Sequence, residues 1–154
     1  ALVRHLEGMG VPVFNGSRAI GLAMDKFHSY QALAAAGIPV PASLLLSLPA
    51  DLALVERTIG FPAIVKVVSG SEGKGVFLAR DRGQLQDLLE MLDAVRAPHV
   101  HVLAQHYVAA SQGRDLRVWV LGGRAVACVE RTAKAGGFKC NVAQGASTQA
   151  VRPE

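Results

Sequence analysis

AIVKVVSGSEGKGVFLAR, residues Ala63 to Arg80, sets a lysine inside an apolar run, follows it with Gly, Ser, Glu and Lys, and then resumes an apolar run. The order reads as strand, flexible turn, strand. A Walker phosphate loop is excluded. That motif needs four residues between its first Gly and the Gly-Lys pair, then Ser or Thr, and it opens a helix. Here Gly70 is followed by only two residues before Gly73, Lys74 precedes Gly75, and VFLA continues as a strand. Alternate residues of a strand face opposite ways, so Lys66 shares a face with Ile64 and Val68. An ammonium among apolar side chains needs a partner or a route to water. Glycines 70, 73 and 75 allow positive φ and a close approach of backbone N–H groups to an anion. A lysine on a strand that feeds a glycine hairpin resembles the phosphate cover of protein kinases. An edge-strand lysine beside an ordinary hairpin is the plainer alternative.

The totals narrow the classes. A chain of 154 residues with 51% hydrophobic and 18% charged residues can bury a core, which excludes disorder. The net charge of +4 and a pI of about 9.4 favour anionic ligands or acidic partners. No two Lys or Arg residues are adjacent and aromatics are 5%, so no nucleic-acid partner is expected. Cys128 and Cys140 lack Cys-x-x-Cys spacing, so a reduced, cytoplasmic setting is expected. No apolar run reaches the ~18 residues of a membrane span, and no membrane partner is expected. ALVRHLEGMG has no signal-peptide pattern or initiator Met and reads like the middle of a helix, as in a fragment.

Along the chain, LVRHLEGMG reads as a helix stopped by Gly10. A second helix starts with Ser17 as its N-cap, Asp25 recaps it, and Gly37 ends it. IPVPASLLL is extended. PADLALVERTIG is a helix with Pro49 near its first turn and Gly60 after its last. DRGQLQDLLEMLDAV is a helix and HVHVLAQHYV a strand. GRDLRVWVLGGRAVACVER is a hairpin about Gly122-Gly123. The remainder, TAKAGGFKCNVAQGASTQAVRPE, is loop-like. The fold class is α+β, with antiparallel hairpins and packed helices. The expected division is 1–41, 42–108 with the glycine-rich lid, and 109–154.

MDKFHSYQALAAAGIPVP, GFPAIVKVVSGSEGKGV, LAQHYV, GRDLRVWVLGGRAVACVER and FKCNVAQGA resemble, in order and spacing, segments of the RimK-like ATP-grasp ligases. No His-Arg-Asp or Asp-Phe-Gly follows, so the kinase comparison falls away. The resemblance implies ATP held between two α+β units, a carboxylate phosphorylated to an acyl phosphate, and an amine that displaces phosphate to give an amide. Lys26 and Lys66 resemble the lysines on the ATP phosphates, and Ser69, Gly70, Gly73 and Gly75 resemble the lid. Gln105, His106 and Tyr107 resemble the hinge that reads adenine through its backbone; the family usually has Glu where this chain has His106. Asp115 matches an acid near the nucleotide, and Arg117 and Arg131 match catalytic arginines near the γ-phosphate and substrate carboxylate. Lys139, Cys140 and Asn141 match a segment that commonly reads Arg-Ser-Asn.

One conflict stands out in the hairpin. A simple Gly122-Gly123 turn sets residue 115 against 130, which leaves Arg131 on the other face from Asp115. A β-bulge or a different turn register is therefore expected. Cys128 is expected in the core. His99 and His101 share a strand face without a third ligand at suitable spacing, so no protein metal site is expected. The resemblance implies Mg²⁺ as a cofactor, held by acidic segments that these residues do not match, so the fragment itself is expected to be inactive. Glutamate as the added amino acid, an acidic protein or peptide acceptor and a homo-oligomer of the full-length protein are further implied. The alternatives are a nucleotide-binding module that presents a partner surface, and a basic scaffold that binds no nucleotide.

Overall fold

Side-chain caps start three of the helices, and each cap is an aspartate. The computed structural model describes residues 1–68, 73–94, 101–111 and 113–152. Asp25 accepts the His28 N–H at 2.9 Å and starts α3, Lys26–Ala35. Asp51 does the same for Leu54 at 3.0 Å before α4, Leu52–Thr58. Asp81 holds the Gln84 N–H at 2.9 Å before α5, Arg82–Ala94. Each satisfies a donor that the first helical turn would otherwise leave without a partner. Gly10, Gly37 and Gly60 follow the ends of α1 (Leu2–Gly8), α3 and α4 with φ of +77°, +74° and +72°.

One expectation about a helix start is corrected. Ser17 is not an N-cap: it is the first residue of α2, Ser17–Met24, and its N–H and hydroxyl both donate to the Glu7 carboxylate. Pro49 stands near the first turn of α4, as expected, and Asp51 supplies the cap.

The chain divides into two units, Ala1–Ser69 with Phe77–His106, and Gly70–Val76 with Tyr107–Glu154. Residues 1–41 thus group with the sheet that follows them, and the break falls after His106. The first unit contains a four-stranded sheet ordered β1-β4-β2-β3, from Ser43–Leu46, Val102–His106, Ala63–Val67 and Val76–Ala79. β4 pairs antiparallel with β1 and with β2. Leu46, Ala63, Val65, Val102 and Ala104 pack from the strands with Val55 and Ile59 of α4 and Leu85 and Leu89 of α5. Each fully buried Val or Leu there contributes about 1.5–3 kcal/mol. The alternation that sends Ala63 and Val65 into this core turns Ile64 and Lys66 to the opposite face.

The second unit contains a sheet ordered β5-β6-β7, from Arg114–Leu121, Arg124–Thr132 and Ser147–Val151. Gly122 and Gly123 turn the hairpin with φ of +56° and +78°, signs that a two-residue primed turn requires at both positions. Val120 pairs with Ala125, but Trp119 pairs with Ala127, so Val126 is the extra residue of a bulge. Beyond it Asp115 lies opposite Arg131, and Arg117 opposite Val129. The expected bulge is present. The expectation of a loop-like C-terminal stretch is corrected, since Ser147–Val151 forms β7 on the edge of β6. Cys128 is buried and, like Cys140, is a free thiol.

Candidate functional site

In the first unit two ammonium groups lie on the sheet face turned away from α4 and α5. Lys26 is the first residue of α3, and its Nζ donates to the carbonyls of Val67 and Val68 at 3.3 and 3.1 Å. Those carbonyls lie at and just past the end of β2, where the chain enters the glycine-rich segment. Burial pushes the Lys26 amine below its ordinary value, and the charge of Lys66 adds to that. Lys66 Nζ donates to Gln105 Oε1 at 2.7 Å and to the Tyr30 hydroxyl at 3.2 Å, and it stands 5.6 Å from the Tyr30 ring centroid.

Gln105 is the buried polar residue of this face. Register puts it opposite Ser43 on one side and Ile64 on the other, with Leu103 opposite Lys66. Its Nε2 donates to Ser43 Oγ at 2.8 Å, and Ser43 Oγ donates to the Pro41 carbonyl at 2.8 Å. That relay fixes the amide: Ser43 has spent its proton, so it accepts from Nε2, and Oε1 is left to face the ammonium. Burial pushes the Tyr30 phenol up, but the charge of Lys66, then its hydrogen bonds with Gln105 and Lys66 and lastly the charge of Lys26 bring it below its ordinary value. Two neighbouring cations at a partly desolvated surface are an arrangement that a polyphosphate neutralises.

In the second unit the bulge delivers a bidentate ion pair. Arg131 Nε and Nη2 donate to Asp115 Oδ1 and Oδ2 at 2.7 and 2.6 Å. The hydrogen bonds to Asp115 hold the Arg131 guanidinium above its ordinary value, against the opposing effect of burial. Arg117, on the same face, is exposed and has Val129 as its register partner. Burial, helped by Asp115, pushes the Cys140 thiol up, which disfavours a thiolate there. Gly73 has φ +74°, and a Cβ on it would lie 2.5 Å from Asn141 Oδ1, so backbone and amide meet where no side chain fits. Gly75 also has positive φ, +65°.

Ser69 and Gly70 lie outside the described residues, as does His99. The His106 N–H donates to the Ala42 carbonyl at 2.9 Å, so that donor is taken by the backbone, while its ring Nδ1 lies 3.2 Å from the Ile59 carbonyl. Tyr107 is half-buried just past β4. Lys139 Nζ stands 5.8 Å from the Phe138 ring centroid. Among the described residues no group of three His, Cys, Asp or Glu side chains is placed to hold a metal ion, and no helix is long and apolar enough to cross a membrane.

Tyr30 and Ser43 were not among the sequence candidates. Tyr30 had a signal: it lies four residues after Lys26, on the same face of α3. Ser43 had none, because its place beside Gln105 depends on strand pairing across 62 residues.

Residues 23–152 match the model of the RimK-like ATP-grasp domain. The chain belongs to the RimK-like ATP-grasp family. It is 38% identical over 153 residues to a probable alpha-L-glutamate ligase of Legionella pneumophila, covering 99% of this chain and 50% of that protein. A protein of the same name from Pectobacterium carotovorum is 40% identical over the same span, again covering 99% and 50%. The chain therefore spans about half the length of these curated relatives. The D-alanine–D-alanine ligase of Bacillus anthracis superposes with a TM-score of 0.75 at 21% identity, over 100% of this chain and 50% of that one. At that identity the likeness shows the fold, which is ATP-grasp.

Proposed function

We propose that the whole protein is an ATP-dependent carboxylate–amine ligase that joins glutamate to a protein or peptide. The observation that carries this is the pair of ammonium groups, Lys26 and Lys66, on one face of the four-stranded sheet at the end of β2. Family membership and the glutamate ligase names of the relatives support it. ATP supplies the phosphoryl group that activates a carboxylate. The carboxylate oxygen takes the γ-phosphoryl group to form an acyl phosphate with release of ADP; the amine then displaces phosphate and leaves an amide. Lys66, oriented by Gln105, and Lys26 neutralise phosphate charge, which is most of what phosphoryl transfer asks of a protein. The Gly73–Gly75 turn is read as part of the phosphate lid, and Arg117 and Arg131 as the arginines for the γ-phosphate and the substrate carboxylate. Asp115, the backbone of Gln105, His106 and Tyr107, and Lys139, Cys140 and Asn141 are read as nucleotide contacts. Magnesium as cofactor, an acidic acceptor, a homo-oligomeric full-length protein and a cytoplasmic location complete the reading.

Calorimetric titration of ATP into this chain and into Lys66→Met tests it. Methionine keeps the aliphatic stem and removes the charge. Affinity is expected to fall about tenfold, the scale of one charge-assisted hydrogen bond. Equal affinity in the two proteins would remove Lys66 from the site. With Mg²⁺ added, the 154-residue chain is expected to bind nucleotide without turnover, because none of its residues matches the family's acidic metal-holding segments. ADP release by the purified chain would overturn that part.

A further inference from the structure

We propose that Tyr30 is the positioning residue of Lys66, holding its ammonium for phosphate through a closed triangle with Gln105. This rests on the phosphate-holding reading of Lys66. The triangle is complete in the structure. Lys66 Nζ donates to Tyr30 Oη at 3.2 Å and to Gln105 Oε1 at 2.7 Å, and the Tyr30 hydroxyl donates to the same Oε1 at 3.4 Å. The longest side is the Tyr30–Gln105 contact, so the two bonds that fix the ammonium are the stronger ones. Gln105 cannot turn away, because Ser43 holds its other end.

Two acceptors thus fix two of the three donors of an ammonium, which leaves the third directed by the other two. A lysine stem has four rotatable bonds and a large rotamer entropy. Holding its tip in the free protein removes an ordering cost that binding would otherwise carry. Tyr30 is suited to this because α3 is itself anchored: its first residue, Lys26, reaches the β2 carbonyls, and the hydroxyl lies one helical turn further along. The charged groups facing the phenol are Lys66 from β2 and Lys26 from its own helix, and both favour the arrangement in which its oxygen accepts. Asp25, at the start of α3, faces Lys26.

Tyr30→Phe keeps the ring, and with it the contact under the ammonium, and removes only the oxygen. ATP affinity of the 154-residue chain is expected to fall about threefold to tenfold, the scale of one ordinary net hydrogen bond, since Tyr30 acts through Lys66. A second readout needs no nucleotide. The difference between the phenolate absorbance titrations of the parent and Tyr30→Phe isolates Tyr30 from Tyr107, and repeating it in a Lys66→Met background reads the coupling directly. The Tyr30 midpoint is expected to move to higher pH when the Lys66 charge is gone. Tyr30→Phe that binds ATP as the parent does, or a Tyr30 midpoint indifferent to Lys66→Met, would overturn the proposal. If the parent binds no ATP, the phosphate reading fails, and the proposed role of Tyr30 fails with it. The midpoint would then report only whether the triangle exists.

Discussion

Leu85→Ala is expected to lower the stability of the protein by about 2–5 kcal/mol. Leu85 is fully buried, in the first turn of α5, and packs with Val55, Val65, Ala79, Val102 and their neighbours. Truncation removes the transfer free energy of the side chain and leaves a cavity. The floor of that cavity is a strand pair that cannot collapse into it without breaking its ladder. Leu85→Met, which nearly conserves volume, is expected to cost less than about 1.5 kcal/mol. Urea unfolding followed by far-UV circular dichroism reads the difference, because the five α-helices of the described residues belong to the first unit. An Ala variant with the same midpoint as the parent would mean that α5 is not packed as described. The effect bears on the site because the strand whose inner face meets α5 carries Lys66 on its outer face.

Asp115→Asn is expected to cost about 2 kcal/mol and Arg131→Met about half of that, and the inequality is the sharper test. The Arg131 side chain is 12% exposed and that of Asp115 is 40% exposed. Replacing the acid leaves a guanidinium that cannot shed its proton in a largely dry position. Replacing the base leaves a carboxylate that water already reaches, and its solvation offsets part of the loss. Because the Arg131 pKa is raised, its contribution is full below the ordinary guanidinium range and fades only above it. The difference between the variants should therefore persist across neutral pH. Trp119, the one tryptophan, lies on β5 and reports hairpin unfolding by its fluorescence. An Arg131 variant less stable than the Asp115 variant would reverse the burial argument.

Much of the fold was legible because the signals are local. Asp25 sits where its carboxylate caps a turn three residues on, Gly37 and Gly60 follow the last residues able to stay helical, and Gly122-Gly123 supplies two positive φ values. The alternation of AIVKVV told which neighbours Lys66 would share. Ser17 misled because it is a common residue at helix starts, and a competing partner, Glu7, takes both its N–H and its hydroxyl. STQAV carries no strong strand pattern; it is a strand because β6 offers it an edge.

The sequence by itself determined that Lys66 would stand between apolar neighbours on one face of a strand. It also determined that Asp115 and Arg131 could meet only through an irregularity in their hairpin. Both follow from the two-residue period of a strand and the register of a two-residue turn, which involve adjacent residues alone. Only the tertiary structure decided that the irregularity falls at Val126, that β7 closes the second sheet, and that the partners of Lys66 are Tyr30 and Gln105. Those two residues are 36 and 39 positions away along the chain. They meet the ammonium because Tyr30 reaches the sheet from α3 and β4 inserts between β1 and β2, and no window of neighbouring residues records an event of that range.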